Sequence, residues 1–284
     1  MPPKDPLDKD GKIGGRMNSD VFLTSDDRLQ SSDPLVSIIT PAFNSQNFIC
    51  QTISSVQEQT YENWEMLVVI DSGTTDSTPI LVQKLAERDP RIRLVVVPNN
   101  QGRGLALSRN YALKLAKGTY LAFLDSDDLW LANKLRRQID LMTHHHWSFT
   151  CTAFRRLDSH GKILGRLIEV PHSITYRRLL QQNCIGCLTV VIDRESVGEI
   201  QFLETKHEDF ILWLEILKRG IVCHGINEDL ARYRIVAHSR SSDKVESIKN
   251  TWRIYRQHEG LSISQSMLRL GQFAVRNLAK YSRF

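Results

Sequence analysis

Three carboxylates stand within four positions in LAFLDSDDLW (121–130): Asp125, Asp127 and Asp128, directly behind an apolar run. They repel one another, and burying any of them unpaired is costly. A divalent cation reverses that balance. Hard oxygen donors suit Mg²⁺ or Mn²⁺, and Mg²⁺ typically takes one or two carboxylates together with substrate phosphates. Asp at a helix amino terminus, where it favours the dipole, is the plainer explanation; it suits Asp128. Asp125 and Asp127 are predicted to face a metal that bridges a diphosphate.

Such a cluster needs a scaffold, and the sequence around it describes one. LVSIIT (35–40), WEMLVVI (64–70), IRLVVV (92–97) and TYLAFL (119–124) are short, β-branched-rich apolar runs bounded by Pro, Gly, Asn or Asp. Amphipathic stretches of helical length separate them, at 45–59, 76–88 and 103–117. Near-continuous apolar strands alternating with helices indicate a parallel sheet covered on both faces. Ligands of open α/β sheets bind beyond the carboxyl ends of the strands. TPAFN, DSGTTDST, NNQGRG and DSDD fall at those four ends. Asp71, straight after the second strand, is placed to accept hydrogen bonds from a base or ribose, while Asp76 or Ser77 caps the next helix. NNQGRGLALSRN (99–110) offers glycines for close backbone approach, and Arg103 and Arg109 for phosphate or carboxylate contacts.

Beyond the acidic cluster the alternation loosens. WSFTCTAF (147–154) and ILGRLIEV (163–170) read as antiparallel strands, 173–182 as a helix, CLTVVID (187–193) as a strand, and HEDFILWLEILKRG (207–220) as a helix ending at Gly220. Residues 1–33 lack apolar periodicity and read as a disordered leader. No signal-peptide core or membrane-spanning run is present, which predicts a cytoplasmic protein. The five cysteines, including Cys184 and Cys187 in a single CxxC, are too few and scattered for a disulfide framework and read as ordinary thiols. Three consecutive histidines in HHHW (144–147) point in different directions and read as packing or surface residues.

The four motifs, in order, resemble family 2 glycosyltransferases of the GT-A fold. VSIITPAFN resembles their opening strand and loop, and VVIDSGTTDST their VVDDGSTDGT turn. NQGRGLALSRN resembles their N-x-G…A-R-N segment, and GTYLAFLDSDDLW their G-x-Y-[IL]-A-F-L-D-x-D-D-x-W stretch. The likeness covers about residues 35–240. It implies a mostly parallel α/β sheet with a Rossmann-like nucleotide-binding half, helices on both faces and a C-terminal helical extension. Pro41, Ala42 and Phe43 would line a base pocket, Asp71 would hydrogen-bond the nucleobase, and Arg109 would help to hold the nucleotide. Asp125 and Ser126 join this donor-binding set; Asp127, with Asp125, would coordinate Mn²⁺ or Mg²⁺. The family's second Asp in the DDGS turn is Ser72 here.

Inverting transfer needs a carboxylate that takes the acceptor hydroxyl's proton. KHEDFILWLEIL resembles the family's E-D-x-x-L-W motif, which makes Asp209 the catalytic base and Glu208 its neighbour. Asp or Glu at a helix start is the plainer reading of the pair. YRIVAHSRSS (233–242) resembles the family's Y-R-x-H loop, with His238 as a third metal or diphosphate ligand and Arg234 and Arg240 neutralising phosphate charge. No Q-x-x-R-W motif follows the acidic pair, so transfer of a single sugar is expected rather than processive synthesis.

Residues 244–284 carry eight Lys or Arg against two Glu, although the whole chain is only +5. The basic character belongs to this tail, so bulk charge does not indicate nucleic acid binding. The tail reads as two basic amphipathic helices, about 244–258 and 261–280. They either pack on the domain or dock on an anionic membrane. The expected partners are a nucleotide-sugar donor, UDP-linked in view of the resemblance, and a glycan or polyprenyl-diphosphate-linked acceptor. A sugar-nucleotide nucleotidyltransferase shares the sheet and acidic site, but would carry a Gly-rich basic loop where TPAFNSQN has none. A catalytically inactive glycan-binding scaffold is opposed by the retention of Asp127 with Asp209.

Overall fold

The computed structural model describes residues 33–98, 104–236 and 244–281, and Pro34–Phe284 form one compact unit. Most of the expected leader, the 99–103 stretch with Arg103, and the 237–243 loop with His238 and Arg240 lie outside the described residues.

The first half alternates strand and helix: β1 (Val36–Ala42), α1 (Ile49–Gln57), β2 (Trp64–Ile70), α2 (Thr78–Ala86), β3 (Ile92–Val96), α3 (Leu105–Leu115) and β4 (Tyr120–Phe123). All four strands are parallel, in the order β3-β2-β1-β4. Every residue of β1 and β2 is buried, because both faces are covered. Neighbouring residues of β1 enter opposite cores. Ile39 packs in the cluster containing Phe123 and Trp213, and Ile38 in the one containing Tyr61 and Trp130. The chain runs outward from β1 through β2 to β3, then returns to the other side of β1 as β4. This reversal opens a crevice between the carboxyl ends of β1 and β4. Gly118 lets β4 enter beside β1. A Cβ there would stand 2.5 Å from the Ser37 nitrogen and 2.7 Å from the Leu35 oxygen.

The second half is β5 (Leu129–Trp130), α4 (Lys134–His145), β6 (Phe149–Leu157), β7 (Ile163–Ile168), β8 (Ser173–Ile174), α5 (Tyr176–Leu179), β9 (Val191–Asp193), α6 (Arg194–Val197), α7 (Glu208–Lys218) and β10 (Cys223–Arg234). It extends the sheet as β4-β9-β6-β10-β5, with β7 beside β6 and β8 beside β10. β9 runs antiparallel to both neighbours, whereas β6 and β10 are parallel. Two expectations change here. The helix expected over 173–182 is a short strand followed by one turn of helix, and the strand expected over 187–193 begins with a 3-10 turn at Cys187–Thr189. The 12-residue β10 has no clear signal in CHGINEDLARYR. Register shifts between Ile226 and Asp229, and again before Ala231, break its two-residue period. His145, Trp147 and His224 stack in series, with centroids 4.6 and 4.3 Å apart, which gives the His run a packing role.

Two further helices follow, α8 (Lys244–Arg253) and α9 (Ile263–Tyr281). Between them Ile254 and Tyr255 are buried in the α7 core, and the Tyr255 hydroxyl donates to the Leu180 carbonyl at 2.6 Å.

Candidate functional site

The loops at the carboxyl ends of β1 and β2 are fastened to each other. Asn44, in the left-handed region with φ 47°, accepts the Thr75 N–H through its Oδ1 at 2.9 Å. The Ser45 N–H donates to Thr78 Oγ1 at 2.8 Å. Asp76 accepts the Gln46 N–H at 3.0 Å and the Thr78 N–H at 2.9 Å, so it ties down the start of α2 while Ser77 makes no side-chain cap. Pro41 and Ala42 are the buried last residues of β1, and Phe43 beyond them is 58% exposed at the rim. Asp71 accepts the Gly73 N–H at 2.8 Å on one oxygen and the Gly104 N–H at 2.7 Å on the other. Gly104 has φ 129°, a backbone state open to glycine alone in practice. That single bond joins the β2 loop to the start of α3.

The DSDD turn after β4 is held from several sides. Ser126 is buried, with its hydroxyl 2.6 Å from that of Ser45 across the β1–β4 crevice. The Thr52 hydroxyl on α1 lies 2.9 Å from the carbonyls of both Ser126 and Asp128. Asp128 is buried and accepts the Arg234 N–H at 2.8 Å, which makes it the structural member of the trio. Arg234 is buried as well. Its Nε donates to the Asp127 carbonyl at 2.7 Å and its Nη2 to Gln51 at 2.8 Å, so it braces the turn. Burial, and then the charge of Asp125, push the Asp127 carboxyl up to about 6. Two hard-oxygen donors this close, one of them raised by burial and by the charge of the other, fit a divalent cation. Among the described residues no three His, Cys, Asp or Glu side chains are grouped to hold a metal, so phosphate oxygens would have to complete its shell.

Arg109 connects this turn to the second half. It is only 2% exposed, its Nη2 donates to Asp125 at 2.6 Å, and its Nη1 donates to Glu208 at 3.0 Å. Its guanidinium also lies over the Phe202 ring, 5.1 Å from the centroid. Each terminal nitrogen therefore makes one ion pair inside the protein, while the buried Nε makes no hydrogen bond. Glu208 and Asp209 open α7, whose Phe210, Trp213, Leu214 and Leu217 are buried as the sequence pattern predicts. The Asp209 carboxyl accepts the Phe210 N–H at 2.8 Å. Desolvation and then the adjacent Glu208 charge push it up to about 6, against a smaller opposing pull from Arg109.

Sequence reasoning misses the braces: Ser45, Gln51, Thr52 and the internal role of Arg234. Their contacts span 74 or more positions for Thr52 and Ser45 with the turn, and 183 for Gln51 with Arg234, and no local pattern marks them. The four free cysteines inside the protein carry no disulfide; Cys187 lies near the Arg109 cluster, and burial pushes its thiol well above the usual range.

The Glycosyl transferase family 2 model matches residues 37–197. The putative teichuronic acid biosynthesis glycosyltransferase TuaG of Bacillus subtilis is 40% identical over 248 residues, spanning 87% of this chain and 97% of that protein. The UDP-Glc:alpha-D-GlcNAc-diphosphoundecaprenol beta-1,3-glucosyltransferase WfgD of Escherichia coli is 40% identical over 230 residues, 78% and 85% of the two chains. Among solved structures, S. aureus TarS 1–349 in complex with UDP-GlcNAc superposes with a TM-score of 0.64 at 20% identity, over 86% of this chain and 72% of that one. That likeness speaks for the GT-A fold alone. With the sheet order, the motif loops at one crevice and two relatives at 40% identity, the chain belongs to glycosyl transferase family 2 and is a glycosyltransferase.

Proposed function

We propose that this enzyme transfers a single sugar, with inversion, from a UDP-sugar to a lipid-linked glycan in the assembly of a surface polysaccharide. The observation that carries the reading is the Arg109 bridge, which sets Asp125 of the donor turn and Glu208 of the base helix on one guanidinium. Donor and base thereby share a cleft. Above pH about 6 the Asp209 carboxylate is ionised and takes the acceptor hydroxyl's proton. The acceptor oxygen forms its bond to the anomeric carbon as the bond from that carbon to the diphosphate oxygen breaks. The leaving nucleotide keeps the electron pair. Glu208 stays paired to Arg109, and its charge helps to keep Asp209 basic. Phe43 offers an exposed face beside the Asp71 loop for the nucleobase, and Ser126 and Asp125 line the donor side.

Asp127 and Asp125 are the residues suited to hold Mn²⁺ or Mg²⁺, which when bound would stabilise charge on the departing diphosphate. UDP and a polyprenyl-diphosphate acceptor are supported by the activity for which the E. coli relative is named. Such an acceptor would bring the enzyme to the inner face of a membrane; among the described residues no helix is long and apolar enough to cross one. Calorimetric titration of UDP and GDP, with and without Mn²⁺, tests the donor site in wild type and Asp127→Ala. Metal-dependent UDP binding that disappears in the variant is the expected result. A folded protein that binds neither nucleotide overturns the UDP assignment.

A further inference from the structure

We infer that α9, with the cations of α8, docks the enzyme on an anionic bilayer surface. This deepens the proposed reading, since a lipid-linked acceptor is reached only at such a surface. On α9, Ile263, Met267 and Leu268 are 60%, 64% and 60% exposed, and Gly271 and Ala274 continue the same exposed face. These positions recur at helical spacing, so they form one stripe. One flank of the stripe is occupied: Ser266 is buried and Leu270 packs against the α7 core. Elsewhere the exposed large apolar residues stand singly, as on any surface. Here three fall within six positions.

Charge selects the occupant. Eight Lys or Arg in residues 244–284 face only two Glu of their own segment, and both are engaged by cations from the body of the enzyme. Lys206 pairs with Glu246, and Lys218 with Glu259. Lys249 and Arg253 of α8 are exposed; Arg253 donates to the neutral Asn250 amide oxygen and Arg256 to the Leu261 carbonyl. A segment with eight Lys or Arg against two Glu that carries an apolar stripe matches anionic headgroups over acyl chains. The same charge opposes a second copy of this chain, whose stripe would arrive with equal positive charge.

The test is flotation of the full chain with vesicles of phosphatidylcholine, alone or mixed with phosphatidylglycerol. Wild type is expected to float with the anionic vesicles only. Met267→Asp/Leu268→Asp and Lys249→Glu/Arg253→Glu should each weaken binding by about tenfold or more. Gly271→Leu, whose added Cβ meets nothing within 4 Å, should strengthen it. No binding to anionic vesicles, or equal binding to neutral ones, overturns the proposal. So does a dimer in sedimentation that Met267→Asp/Leu268→Asp dissociates without any vesicle binding, because the stripe then belongs to a second copy. UDP titration of the same samples separates the two readings. If UDP binds and vesicles do not, docking falls and sugar transfer stands; the reverse result removes the donor reading alone.

Discussion

Carboxylates sit at both ends of the same parallel sheet, and their surroundings push them in opposite directions. Glu65, near the amino end of β2, would be raised by burial. Instead it accepts from the Ser37 hydroxyl and the Lys117 N–H, each at 2.7 Å, and from Arg93 at 2.9 Å, and its carboxyl ends below the usual range. At the carboxyl ends, Asp127 and Asp209 have fewer donors and closer acidic neighbours, and both are pushed up to about 6. A carboxylate saturated by hydrogen bonds holds the fold. One that is desolvated and set beside another carboxylate is costly to the fold but poised to take a proton or a cation. The amino end is built for stability and the carboxyl end for chemistry.

The largest test of that contrast is Asp209→Asn. Loss of a general base costs about 10²–10⁴-fold in turnover, while UDP affinity and thermal stability should stay at or above wild type. In wild type, kcat/KM should rise with pH through about 6 as Asp209 loses its proton. Rate profiles of both proteins decide the matter. An acidic limb that persists unchanged in the variant assigns it to another group such as Asp127, and turnover that the substitution leaves unchanged removes Asp209 as the base.

Arg109→Met comes next, because it strikes the cation that pairs with both Asp125 and Glu208. It leaves Asp125 and Glu208 without their partner, and breaking a buried pair costs about 3–5 kcal/mol. Urea unfolding should show that loss, and turnover should fall with it. If stability is unchanged, the bridge is not what holds the two halves of the site together.

The contrast was only partly legible in the sequence, and the reason is distance along the chain. Asp127 and Asp209 stand out because one sits in a short motif at the end of an apolar run and the other in one at the start of an apolar helix. The parallel half was equally plain, since strands buried on both faces are continuous apolar runs and WEMLVVI coincides with β2 residue for residue. Arg109 was visible as a charge, but not as a bridge, because Glu208 lies 99 positions away. The mixed half hid β10 behind its bulges, and Arg234 there looked like a phosphate ligand until its bonds to Asp127 and Gln51 made it a brace. Glu65 resembled any strand charge; only the fold brings Ser37 and Lys117 to it.

Glu65→Gln probes the opposite end and should reverse the pattern of Asp209→Asn. Hydrogen bonds to a charged group are worth about 1.5–3 kcal/mol each at most, and a neutral amide retains part of that, so a loss of about 1–3 kcal/mol is expected with turnover of the folded enzyme unchanged. The sign with pH follows from the depressed carboxyl. Its contribution is fully present above the ordinary Glu value of about 4.3 and is lost as pH falls through the lower folded value. The gap between wild type and variant in chemical denaturation should therefore narrow in acid. A gap that widens, or a drop in kcat, would blur the division between the two ends.

The smallest effect belongs to a buried charge-bearing group that lies outside both clusters. Lys134 opens α4 fully buried, its Nζ donating to Gln138 at 2.6 Å and lying 4.1 Å from the Trp130 ring centroid. Desolvation holds its ammonium well below the usual lysine value. Folding therefore favours the neutral amine, and stability rises with pH across the window between the lowered folded value and the ordinary one of about 10.4. Lys134→Met fills the same space without a charge to desolvate, but leaves Gln138 short of one donor. Those terms oppose each other, and replacing a buried ionisable group by an apolar one of similar size is often neutral or mildly stabilising. A change within about 1 kcal/mol at neutral pH is expected, with activity intact. The informative measurement is the slope: wild type should gain stability in urea between neutral and alkaline pH, and Lys134→Met should gain less. Equal slopes would mean that Lys134 keeps its proton inside the fold, with the Trp130 face and Gln138 compensating for lost water. Desolvation alone would then not be enough to set a carboxyl-end group apart, and the like-charged neighbours of Asp127 and Asp209 would have to be the decisive feature.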